Sequence, residues 1–177
     1  MKRIKIKKKL ADEIEKLLTS DNFGWYYNHT TAYEEKKLSD TFQFTHKFYD
    51  EIYNAASYYY QNALELFQSI NIKYKKFLRI KANFTVPSLK LGTKHQHIHR
   101  DIEEENISTF LYYVNDSDGD TLIFDKNYPS EPKDMKILAR YKPKKGACAI
   151  FNSTIYHASC NPINSNKRIV INYILEI

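Results

Sequence analysis

The run KHQHIHRDIEEE places His95, His97 and His99 on alternate positions, with Asp101 two residues after the last of them. In an extended segment, residues two apart project to one side, so His99 and Asp101 can grip one cation. A second imidazole, His157, lies near the end of the β-rich run FNSTIYHASCNP. Two imidazoles and one carboxylate form a donor set that suits Fe(II) and leaves positions open for a co-substrate and oxygen. Arg168 opens the last run, RIVINYILEI, eleven residues past His157. An Arg that points inward needs an anion, and its planar fork meets a carboxylate at two points. Alternation puts Arg168, Val170 and Asn172 on one face of that run, and Thr109, Leu111 and Tyr113 on one face of STFLYYVN. If both faces line an interior, Arg168 and Tyr113 hold the far carboxylate of a dicarboxylic acid whose near end chelates the metal. Thr109 and Asn172 would then lie beside it.

Such a constellation needs strands to carry it. From Tyr74 onward the hydrophobic period is two: YKKFLRIKANFTV, NISTFLYYVN, DTLIFDK, MKILARYK, ACAIFN and RIVINYILEI are short β-rich runs. They are separated by NDSDGD, NYPSEPKD, KPKKG and NPINSN, clusters rich in turn formers. The first half reads as helical. Leu10, Ile14, Leu17 and Leu18 recur at helical spacing, and a stripe from Tyr49 through Ile52, Tyr53, Ala56 and Tyr60 to Phe67 predicts a second helix over residues 46–69. The fold class expected is α+β, with N-terminal helices bracing a barrel or sandwich of antiparallel strands. Residues 1–177 read as one domain, with 1–73 mainly helical support and loop and 74–177 the β-barrel core. The stretch from Trp25 to Phe48 shows no period and is expected to cover the mouth of the barrel. In FLRIKANF, Arg79, Lys81 and Asn83 alternate with apolar residues, and a solvated face is expected for them. His29 and His46 read as ordinary surface or core histidines.

The net charge of +6 is concentrated at the start, where six of the first nine residues are basic and the remainder is balanced. That balance argues against nucleic acid as a partner. Cys148 and Cys160 are too few for a disulfide framework, the start is charged where a signal peptide would be apolar, and no run is long enough to span a bilayer. A cytoplasmic location is expected, with no membrane partner.

On these residues the chain resembles the 2-oxoglutarate and Fe(II)-dependent dioxygenases, particularly their compact prolyl-4-hydroxylase-like branch. His99-Arg100-Asp101 matches the family's His-X-Asp, LYYVNDSDGDTLIF its strand, turn and strand, His157 its distal histidine and Arg168 its oxoglutarate anchor. The resemblance implies a double-stranded β-helix, or jelly roll, with Fe(II) on His99, Asp101 and His157 as catalytic and metal-binding residues. It further implies 2-oxoglutarate on Arg168 with Tyr113, or else Tyr112, and O2 as the second co-substrate. The activity implied is decarboxylation of 2-oxoglutarate to succinate and CO2, coupled to hydroxylation of a small molecule or peptide, such as a prolyl residue. His95 and His97 leave the register open. A cupin would use His97, His99, Glu103 and His157 instead, and a catalytically silent β-sandwich binding module is the third reading.

Overall fold

The computed structural model describes residues 2–30, 41–88, 95–131 and 133–177. Its first part contains β1 (Lys2–Lys5), α1 (Lys8–Leu18), β2 (Tyr26–Asn28), β3 (Gln43–Asp50), β4 (Ala55–Ala56) and α2 (Tyr60–Gln68). Seven strands follow: β5 (Lys76–Thr85), β6 (Ile107–Tyr113), β7 (Thr121–Asn127), β8 (Ile137–Tyr141), β9 (Ala147–Asn152), β10 (Ile155–Ser159) and β11 (Arg168–Glu176). Each run with a two-residue period became a strand.

Among the described residues these strands form two antiparallel sheets. The larger has the order β1-β9-β6-β11-β5-β3-β2, with β4 paired to β3, and the smaller has the order β10-β7-β8. Isolated bridges from His95 to Cys160 and from His99 to His157 carry the histidine-rich run along the edge of the smaller sheet. This is the jelly roll expected, with helices on one outer face.

The main core lies between the large sheet and the helices. Ile14 and Leu18 of α1 and Ala63, Leu66 and Phe67 of α2 pack against Phe110, Tyr112, Ile169, Ile171 and Tyr173. Phe67 alone meets the rings of Phe77, Phe110 and Tyr173. Lys145, in the turn before β9, forms ion pairs with Asp12 and Glu15 and so ties α1 to the sheet.

The helix expected over 46–69 is confined to α2. Residues 43–50 form a strand in which Phe48 and His46 face the core, and a period of two outweighed the three- and four-residue steps. Ile52 and Tyr53, at 87% and 72% exposure, belong to no buried stripe. The N-terminal half is therefore less helical than expected. The basic start is paired into the large sheet, β1 against β9 from Lys2↔Ile150 to Lys5↔Ala147. Of the expected cover, residues 31–40 lie outside the described residues. Trp25 and Phe48 sit in the core on the helix side, with Trp25 Nε1 donating to Leu18 O at 3.0 Å.

Candidate active site

The inner face of the large sheet presents Arg168, Val170 and Asn172 from β11. Thr85, Asn83 and Lys81 of β5 stand opposite them, and Tyr113 and Leu111 of β6 lie opposite Val170 and Asn172. The small sheet closes over this face, bringing His157 of β10 toward Asp101. His99 and His157 are cross-strand partners: each backbone N–H donates to the other's carbonyl, at 3.0 and 2.8 Å, and the rings lie 4.5 Å apart. Asp101 is held by a bond from its N–H to Ser153 O. The ligand-capable atoms of His99, Asp101 and His157 all fall within 4.8 Å of one another.

The imidazoles are oriented by their backbones. His99 Nδ1 is 3.0 Å from His97 O, and His157 Nδ1 is 3.0 Å from Ile155 O. A carbonyl can only accept, so Nδ1 carries the proton and each Nε2 keeps a lone pair for a metal. Burial lowers the His99 pKa to about 4, with His157 adding to the effect. The ring is therefore neutral near pH 7 and fit to be a ligand. Burial alone would raise the Asp101 carboxyl, but His157, Arg79, His99 and the Thr109 hydroxyl outweigh it and hold the group at about 2. Thr109 Oγ1 donates to Asp101 Oδ2 at 2.7 Å, while Asn172 Nδ2 and Arg79 Nη2 reach Oδ1 at 3.3 Å each. Two imidazoles, each with its Nδ1 against a backbone carbonyl, and an ionised carboxylate, converging in a buried place, fit Fe(II).

A cavity runs from these residues along the inner face to Arg168, past Asn172, Val170 and Leu111. Arg168 is 2% exposed; its Nε donates to Gly119 O at 2.8 Å and its Nη2 to Thr121 Oγ1 at 2.9 Å. Gly119 must be glycine for this close approach, because a Cβ there would lie 2.6 Å from Cys160 O and 2.9 Å from Arg168 Cδ. Tyr113 donates to Thr121 Oγ1 at 3.0 Å, so Thr121 stands between the two residues expected to share a carboxylate. Tyr112 points to the opposite face and is fully buried among core residues, which removes it as the alternative.

Thr121 was not foreseen, although it opens β7 on the same face as Ile123, the partner of His157. Gln43 and Ser159 also line the cavity without having been singled out. The solvated face expected for Arg79, Lys81 and Asn83 is overturned: Asn83 lines the cavity and Arg79 pairs with Asp101. Alternation was read correctly there; which side the small sheet would cover was not. His46 is a core histidine between Gly24 O and Ser57 Oγ, and His29 is exposed. His95 faces Phe124, and the His97 carbonyl accepts from His99 Nδ1. Glu103 is exposed and pairs with Arg100, so the acid beside the imidazoles is Asp101 and not the one a cupin would use. In the turn NDSDGD, Asp118 accepts from the backbone N–H groups of Ile163, Asn164 and Ser165, fastening the loop before β11.

Residues 87–176, half of the chain, match the 2OG-Fe(II) oxygenase superfamily. The chain belongs to this family. Its cofactor is Fe(II) and its co-substrates are 2-oxoglutarate and O2. Among solved structures, a Pseudomonas putida prolyl-4-hydroxylase is similar with a TM-score of 0.58 at 11% identity, over 99% of this chain and 92% of that one. A 2OG-Fe(II) oxygenase family oxidoreductase from Burkholderia pseudomallei gives 0.62 at 11%, over 98% and 84%. The epimerase SnoN of nogalamycin biosynthesis gives 0.64 at 7%, over 98% and 78%. Identities this low speak for the fold. No curated protein matches the chain in sequence. No helix among the described residues is long and apolar enough to cross a membrane.

Proposed function

We propose that this 2-oxoglutarate-dependent dioxygenase hydroxylates a small molecule or a peptide residue, with His99, Asp101 and His157 holding the iron and Arg168 holding the co-substrate. The observation that carries the assignment is the Asp101 carboxylate facing two imidazoles whose Nδ1 positions are occupied by backbone carbonyls. Iron(II) held there supplies O2 activation coupled to decarboxylation of 2-oxoglutarate, leaving succinate and CO2 and giving one oxygen atom to the substrate.

The chain's own part is orientation and exclusion of water. Thr109 and Asn172 occupy opposite oxygens of Asp101 and so fix the carboxylate plane beside His157, whose Nε2 is 3.5 Å from Oδ2. Arg168, buried with its Nε and Nη2 already oriented by Gly119 and Thr121, is preset for the distal carboxylate of 2-oxoglutarate. Burial lowers its pKa, so an anion beside it is stabilising. Thr121 positions both Arg168 and Tyr113, and Tyr113 reaches the co-substrate through it.

We take residues 1–177 as one catalytic domain, supported by a core cluster that joins both helices to the large sheet. A cytoplasmic location is supported by two free, buried thiols. A small molecule or peptide as the partner, and not nucleic acid, is supported by the charge balance past residue nine. Incubating the protein with Fe(II), 2-oxoglutarate and a cell extract, and searching by mass spectrometry for a mass gain of one oxygen, tests the reaction. Succinate should form in step with that gain. Absence of any Fe(II)-dependent succinate would sink the proposal.

A further inference from the structure

Two amide oxygens on the inner face of the large sheet have no donor. Asn83 of β5 is the cross-strand partner of Val170, and Asn172 of β11 lies two positions beyond Val170 on the same face, so the two carboxamides are diagonal neighbours. Both line the cavity that His99, His157 and Arg168 also line. Asn172 is 7% exposed, and its amide has a fixed orientation: Nδ2 donates to Asp101 Oδ1 at 3.3 Å, and a carboxylate only accepts, so the oxygen is the end not directed at Asp101. Oδ1 of Asn172 and Oδ1 of Asn83 are buried, and neither has a hydrogen-bond partner among the described residues. A buried acceptor without a donor costs free energy, so each such atom calls for a group that donates to it.

The iron and the co-substrates do not supply that group. Fe(II) and O2 carry no hydrogen, and 2-oxoglutarate at neutral pH is a dianion whose carboxylate and ketone oxygens only accept. Among the reactants, the substrate is left. We infer that the substrate carries an amide or amine nitrogen whose N–H groups are received by the carboxamide oxygens of Asn83 and Asn172. Two acceptors on adjacent strands suit a nitrogen with two hydrogens, or two successive N–H groups, better than a lone hydroxyl with one hydrogen to give. This rests on the iron and oxoglutarate assignment above and extends it to the substrate. Because Asn172 also holds Asp101, a nitrogen bound there lies at the reacting end of the cavity.

Asn83 is the residue to vary, since Asn172 also orients Asp101. The protein is loaded with Mn(II), which occupies the ligands without turnover, and with saturating 2-oxoglutarate. Acetamide, methylammonium and acetone are then titrated separately, and the longitudinal relaxation of their methyl protons reports approach to the Mn(II). Acetamide or methylammonium should show saturable relaxation beyond that of acetone, which has the size of acetamide and no N–H; whichever of the two does so tells an amide from an amine. Asn83→Leu should weaken that binding about fivefold, as loss of one neutral hydrogen bond implies, with Mn(II) and 2-oxoglutarate affinities as in wild type. Asn83→Asp, which keeps an acceptor, should retain it, and Asn83→Ala replaces Asn83→Leu should the latter fail to fold. Equal relaxation of all three probes in wild type, or binding unchanged in Asn83→Leu, overturns the proposal. If Asn83→Leu instead loses 2-oxoglutarate, the residue serves the co-substrate and the proposal is overturned, while the function stands. A wild type that takes up neither Mn(II) nor 2-oxoglutarate overturns the function and with it this extension.

Discussion

The two faces of β11 carry unlike residues for unlike purposes. Ile169, Ile171, Tyr173 and Leu175 are each 0% exposed and meet the helices, while Arg168, Val170 and Asn172 meet the cavity. The first set contributes stability through burial of apolar area. The second places polar and charged groups where burial is costly, and each is tolerated only because a partner is close: Gly119 and Thr121 for Arg168, Asp101 for Asn172. One strand thus separates folding from chemistry by alternation alone. Substitutions on the helix side should act on stability, and those on the cavity side on ligand binding.

The largest effect expected on the cavity side is that of Asp101→Ala, which should eliminate Fe(II)-dependent succinate formation while leaving the far-ultraviolet dichroism that of wild type. Retention of wild-type turnover would remove Asp101 from the ligand set. On the helix side, Phe67→Ala should cost about 3–5 kcal/mol in urea unfolding, because a fully buried ring packed against four others cannot be replaced by collapse of its neighbours. Whatever remains folded should bind Mn(II) as wild type does. A change in Mn(II) affinity larger than the change in stability would break the separation of the faces.

Arg168→Ala should raise the 2-oxoglutarate concentration needed for half-maximal turnover by roughly tenfold or more, with metal affinity nearly unchanged, since a hydrogen-bonded charge pair is worth about 1.5–3 kcal/mol. Unchanged oxoglutarate dependence would mean that the buried guanidinium is structural. Gly119→Ala should move the same parameter in the same direction but less, because the added Cβ displaces Arg168 without removing it. Smallest of all is His97→Ala, expected to keep most activity, as His97 orients His99 through its backbone carbonyl, which the substitution leaves in place. Loss of metal in His97→Ala together with its retention in Asp101→Ala would restore the cupin ligand set.

The strands of the second half were legible because a two-residue period over runs such as RIVINYILEI leaves few alternatives. Their faces were legible for the same reason, and this is how Arg168, Asn172, Thr109 and Asp101 could be grouped before any fold was known. The region 46–59 was misread because its apolar residues fit helical steps as well as strand alternation, and only packing against β5 settled which period counted. The pairing of β1 with β9 left no local signal, since the partners are far apart in sequence.

What the sequence by itself determined, then, is the donor set and its grouping: alternation is a property of the local backbone and requires no knowledge of neighbours. What tertiary structure decided is which side of each strand the small sheet covers. That choice turned Arg79 and Lys81 from an expected solvated pair into part-buried neighbours of Asp101, and it placed Thr121 between Tyr113 and Arg168. Both outcomes depend on contacts between residues dozens of positions apart, and such contacts are set by the closure of one sheet over another, which no local period encodes.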